Sequence, residues 1–141
     1  MVAGATTECP TDVVIVLDES GSIGTANFSL AKSFLSQLVA RLDINNGRTR
    51  VGLVQFSSSV NYHILLSANS SLESLQSTIS TLSYRGGNTN TGAALAFVRT
   101  TMLTSAAGAR SNASNVVVVL TDGQSGNTNY AQVSHYTQCC V

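Results

Sequence analysis

Two apolar runs constrain this chain more than anything else in it: Val13-Val14-Ile15-Val16-Leu17 near the start and Val116-Val117-Val118-Val119-Leu120 towards the end. Uninterrupted β-branched runs of this length read as strands covered on both faces, the pattern of a parallel sheet held between helices. Each run stops at oxygen chemistry, the first at Asp18-Glu19-Ser20-Gly21-Ser22 and the second at Thr121-Asp122-Gly123. Function in open α/β sheets collects at the carboxyl ends of strands, so the two endings point to one site. Asp18, Ser20, Ser22 and Asp122 offer hard oxygens and no thiolate or imidazole. That inventory suits Mg²⁺, Mn²⁺ or Ca²⁺ and argues against zinc or copper.

Between the runs, Phe28, Ala31, Leu35, Leu38 and Leu42 recur at steps of three and four, the apolar face of a helix beginning near Ala26. Residues 50–56 read as a second strand, and Val60, Tyr62, Ile64 and Leu66 alternate as a third with one exposed face. Ser70 with Glu73 forms a capping box ahead of a helix through Leu72, Leu75, Ile79 and Leu82. Residues 91–103 carry a further helix through Leu95, Val98 and Met102, capped by Thr91, and residues 115–120 the last strand. The order predicts an α/β fold, a doubly wound and mostly parallel sheet with one antiparallel edge strand.

Three motifs, taken together, resemble the metal-ion-dependent adhesion site of von Willebrand factor type A domains, the family that includes integrin I domains. They are Asp18-Glu19-Ser20-Gly21-Ser22, the glycine-framed loop Gly86-Gly87-Asn88-Thr89-Asn90-Thr91-Gly92, and Leu120-Thr121-Asp122-Gly123. The resemblance implies that Ser20, Ser22 and Thr89 ligate a divalent cation directly. Asp18 and Asp122 would act mainly through ordered waters. It also implies a partner whose carboxylate completes the coordination of about six ligands that Mg²⁺ demands. Such a partner is collagen, another matrix protein or a repeat of the same domain. Glu19, at the variable position between ligands, reads as a solvated surface residue, and Thr121 as pointing away from the metal.

The same resemblance divides the chain into a lead-in (1–11), a partial domain (12–123) and a tail (124–141) with a short helix near Tyr130 to Tyr136. Domains of the family continue with further strands beyond the Asp-Gly loop. Ending here leaves residues 116–120 as an apolar sheet edge and a route to self-association. Cys9 would pair with Cys139 or Cys140 in a clasp of the kind found in the family's extracellular members, leaving one cysteine over. Asn27, Asn69 and Asn112 each begin a glycosylation acceptor pattern, in keeping with a secreted glycoprotein.

Other functions find less support. The formal net charge is zero and the basic residues are scattered, so the footprint of a nucleic-acid binder is missing. No apolar run approaches the roughly 20 residues of a membrane-spanning helix. There is no nucleophile elbow, phosphate loop or dinucleotide fingerprint, and neither His63 nor His135 has a nucleophile beside it. One enzymatic rival is a Mg²⁺-dependent phosphotransferase resembling the haloacid dehalogenase type, with Asp18 as the nucleophile. That chemistry wants a second acid where Ser20 stands and a lysine for the phosphate, and Lys32 is the only lysine. A metal-free structural module is the other alternative.

Overall fold

The computed structural model describes residues 9–68 and 70–122. Four strands form one sheet in the order β3-β2-β1-β4: β1 (Thr11–Asp18), β2 (Thr49–Phe56), β3 (Val60–Ile64) and β4 (Ser114–Leu120). β1 runs parallel to both β2 and β4, and β3 is antiparallel to β2, so the fold is the mixed α/β sheet that the sequence predicts. Val13 to Leu17 of β1 are all buried because both faces are covered. On one face Val13, Ile15 and Leu17 join Phe28, Leu35 and Val39 of α1 (Gly24–Val39) and Leu75 and Ile79 of α2 (Leu72–Ser80). On the other, Val14 and Val16 join Ala94 of α3 (Thr91–Phe97) with Val98 and Met102 of the π-helical turn that continues it. Two small cores therefore share one central strand.

Several local expectations shift. α1 begins at Gly24 with no side-chain cap, so Asp18 and Ser20 are not spent on its amino end. The cap of α2 is Ser71, whose hydroxyl accepts from Ser74 N at 3.2 Å, in place of the Ser70–Glu73 box. α3 is capped by Asn90, accepting from Ala93 N at 3.1 Å, in place of Thr91. In each case the capping oxygen must reach the amide three residues on, and one residue of offset in where the helix begins moves the role to a neighbour. β3 ends at Ile64, after a register shift at Gln55/Phe56, and Leu66 is buried in the turn beyond it. Tyr62 and His63 are both exposed, so the centre of this edge strand shows both faces to solvent where one was expected.

Among the described residues β4 pairs on one side only, with Val116 and Val119 each about two-fifths exposed and none of its residues fully buried, so it is not covered on both faces as its apolar run predicts. No helix among those residues is long and apolar enough to cross a membrane. Asn27 and Asn112 are exposed; Asn69, Tyr130, His135, Tyr136, Cys139 and Cys140 lie outside the described residues, and the expected clasp with them.

Candidate metal centre

The parallel pairing of β1 with β4 sets Leu17 beside Leu120, which brings the two oxygen-rich endings together. One residue further on, Asp18 and Thr121 are level, and the Thr121 hydroxyl donates to Asp18 Oδ2 at 2.7 Å. Thr121 therefore turns its hydroxyl to Asp18, a contact that its motif position alone does not reveal. Aligning the two apolar runs in parallel register would have shown this, because it matches Asp18 with Thr121 and leaves Asp122 one residue beyond. Asp122 is solvent-exposed at that margin.

Asp18 is 1% exposed, and its other oxygen, Oδ1, accepts from Ser20 N at 2.7 Å. That turn places the Ser20 and Ser22 hydroxyls 3.2 Å apart. The third element is the loop between α2 and α3. It is tied to the first by Gly21 N, which donates to Gly87 O at 2.8 Å, two residues before Thr89. Gly86 and Gly87 have φ of 75° and 105°, which side-chain-bearing residues rarely adopt, so the loop needs glycine to make this approach. Thr89 is 8% exposed, and its hydroxyl makes no hydrogen bond among the described residues. Thus the end of β1, the end of β4 and the glycine loop meet at one place, with all five expected residues on those three elements.

The donor set fits a hard divalent cation. Ligands about 2.1 Å from a six-coordinate ion and at right angles lie about 3 Å from each other, close to the Ser20–Ser22 separation. Both oxygens of Asp18 already accept a hydrogen bond, which suits a carboxylate that acts through water. Among the described residues no three His, Cys, Asp or Glu side chains converge on a common point, so any cation here would rest largely on hydroxyls.

Glu19 departs most from expectation. Expected in solvent, it is fully buried, because adjacent residues at a strand end point to opposite sides and its carboxylate is met there by Gln55, Asn61 and Arg85. Its Oε2 accepts from Gln55 Nε2 at 2.6 Å and Arg85 N at 2.9 Å, and its Oε1 accepts from Asn61 Nδ2 at 2.6 Å. A sequence signal did exist: Gln55 interrupts the apolar β2 strand, and a buried amide in such a strand calls for a polar partner. Lys32 Nζ donates to Ser80 O at 3.1 Å and Leu82 O at 3.0 Å, so its charge is committed to the end of α2. His63 lies 5.1 Å from the Phe97 ring, centroid to centroid, on the sheet edge.

A family model described as von Willebrand factor type A domain matches residues 12–139. Collagen alpha-1(XII) chain of Notophthalmus viridescens is 34% identical over 131 residues, covering 93% of this chain and 14% of its own length. Matrilin-1 of Homo sapiens is 39% identical over 115 residues, covering 82% of this chain and 23% of its own. The chain thus spans less than a quarter of either relative. Among solved structures, proximal thread matrix protein 1 from the mussel byssus, with a zinc-occupied MIDAS motif, superimposes with a TM-score of 0.77 at 28% identity, over 85% of this chain and 33% of its own. In that neighbour, donor hardness does not exclude zinc from the motif. Zn²⁺ is a borderline ion without a strong geometric preference, and it accepts oxygen ligands.

Proposed function

Because this chain belongs to the von Willebrand factor type A domain family, we propose that it is an extracellular protein-binding module that grips its partner through a divalent cation. The carrying observation is Asp18, a buried carboxylate that no Lys or Arg of the described residues neutralises, set beside paired hydroxyls. Ser20, Ser22 and Thr89 hold the cation through their hydroxyls, and Asp18 and Asp122 hold its waters. When bound, Mg²⁺ or Mn²⁺ supplies an electrophilic centre with a coordination position for an oxygen of the partner. Neutral hydroxyl ligands leave that centre strongly positive, which favours a carboxylate. Thr121 and the Ser20 amide keep the Asp18 oxygens aimed, and Gly86 and Gly87 carry Thr89 in.

The partner is a protein with an exposed acidic residue, and the collagen and matrilin relatives support a matrix setting, with collagen or another matrix protein as ligand. The division at 11/12 and 123/124 belongs to the same reading, as does the Cys9 clasp. The module is non-enzymatic. Its only lysine is held at the end of α2, which disfavours the phosphotransferase chemistry weighed above.

Calorimetric titration with Mg²⁺ and Mn²⁺, wild type against Asp122→Ala, tests the site. Heat in the wild type and little in the variant is expected; identical heats would mean that the ion is held elsewhere. Chelation should also release an immobilised matrix ligand. Binding that survives chelation would leave a metal-free module as the better description.

A further inference from the structure

We infer that Glu19 is a positioning residue for this cation site, an inference that rests on the metal-binding reading above. It sits between two proposed ligands in sequence, yet its carboxylate points away from them into the protein and is 0% exposed. Burying a carboxylate is costly unless it is well hydrogen-bonded. Here its donors come from three separate elements: Gln55 of β2, Asn61 of β3, and Arg85 at the start of the loop that carries Thr89.

The connections continue to the far side of that loop. Asn61 Nδ2 also donates to Ser57 Oγ at 2.8 Å, while Ser57 O accepts from Asn90 N at 2.8 Å and Ser58 Oγ from Asn88 N at 3.0 Å. Gln55 Nε2 reaches Ser83 O at 2.6 Å, and the Tyr84 hydroxyl donates to Ser20 O at 3.2 Å. Thr89 is thus held from both directions, through Arg85 before it and Asn90 after it, and both routes lead to the Glu19 carboxylate. Residue 19 of the ligand motif sets where Thr89 stands relative to Ser20 and Ser22. A glutamine cannot replace it, since its NH₂ would face the N–H of Asn61, or those of Gln55 and Arg85, donor against donor.

The test compares wild type, Glu19→Gln, Thr89→Ala and the double variant by Mn²⁺ titration, with amide hydrogen exchange in the absence of metal. Glu19→Gln should weaken Mn²⁺ binding by about 10–100-fold, the usual cost of removing an outer partner. Because Glu19 acts through Thr89, the double variant should lose no more than Thr89→Ala alone. Exchange at Asn88 and Asn90 should accelerate in Glu19→Gln. Unchanged affinity, additive losses, or unchanged exchange at those amides would overturn the inference. Should the wild type bind no Mn²⁺, the proposed function falls, and the exchange rates alone decide whether Glu19 holds the loop. Should Glu19→Gln fail to fold, Asn61→Ala cuts the same route at a less buried position and should shift affinity and Asn90 exchange in the same direction; no shift in either would overturn it.

Discussion

At its amino end β1 carries Asp12, and at its carboxyl end Asp18, two buried carboxylates on the same face of the strand. Asp12 is enclosed by Arg110, whose Nη2 lies 2.8 Å and Nε 2.9 Å from Oδ1, while the Arg110 backbone N–H donates to Oδ2 at 2.6 Å. The same guanidinium donates to the carbonyls of Gly47, Thr11 and Arg48, tying the loop that leads into β2 to the amino end of β1. Asp18 receives only an amide and a hydroxyl. Where the chain supplies its own cation, a buried carboxylate is a structural rivet. Where it supplies hydroxyls in place of a cation, it leaves negative charge for something from outside.

The sharpest way to break that contrast is to remove the internal cation. Arg110→Ala should destabilise the fold by about 3–5 kcal/mol, because it leaves Asp12 buried and uncompensated. Urea denaturation measures this, and saturating Mg²⁺ should not restore the loss; a loss below 1 kcal/mol would show that Asp12 is not a rivet. The counterpart at the other end concerns ligation. Saturating cation at about 100 times its dissociation constant should raise wild-type stability by about 2.7 kcal/mol. Asp18→Ala should erase that increment, as read by thermal melting with and without metal, while the metal-free protein stays folded. Collapse of the metal-free variant would mean that Asp18 is structural like Asp12.

Smaller effects sharpen the picture away from both carboxylates. Ser71→Ala should cost about 1 kcal/mol through loss of the α2 cap, and Ser70→Ala much less. Equal losses in chemical denaturation would reinstate the capping box. Arg85→Ala should change stability by less than about 1 kcal/mol, since its half-exposed guanidinium is 3.7 Å from Glu19 and the backbone N–H remains. A larger loss in the same measurement would place the hold on Glu19 in the side chain.

The two ends also differ in how far the sequence discloses them. The carboxyl end was legible because its residues cluster into short motifs with glycines beside them, and because apolar runs announce where the strands stop. The Asp12–Arg110 pair was not, since the partners lie 98 residues apart and the chain's scattered basic residues give no local sign of a match. The burial of Glu19 and the Thr121 bond to Asp18 were hidden for a related reason. Motif position says which residues are neighbours along the chain, whereas strand alternation and sheet register decide which way each side chain points.

By itself, then, the sequence determined the periodicities: apolar runs that form strands, of which β1 is buried on both faces, helices with one apolar face, and hard oxygen donors at the strand ends. These are properties of consecutive residues, fixed by backbone geometry and by the removal of apolar surface from water. Only the tertiary structure decided that β1 and β4 are level at Leu17 and Leu120, that Thr121 steadies Asp18, and that Asp12 meets Arg110. It also decided that Glu19 reaches Gln55, Asn61 and Arg85 beneath the glycine loop. Those pairings follow from register and from the requirement that each buried charge find its donors, which packing satisfies between segments far apart in the chain.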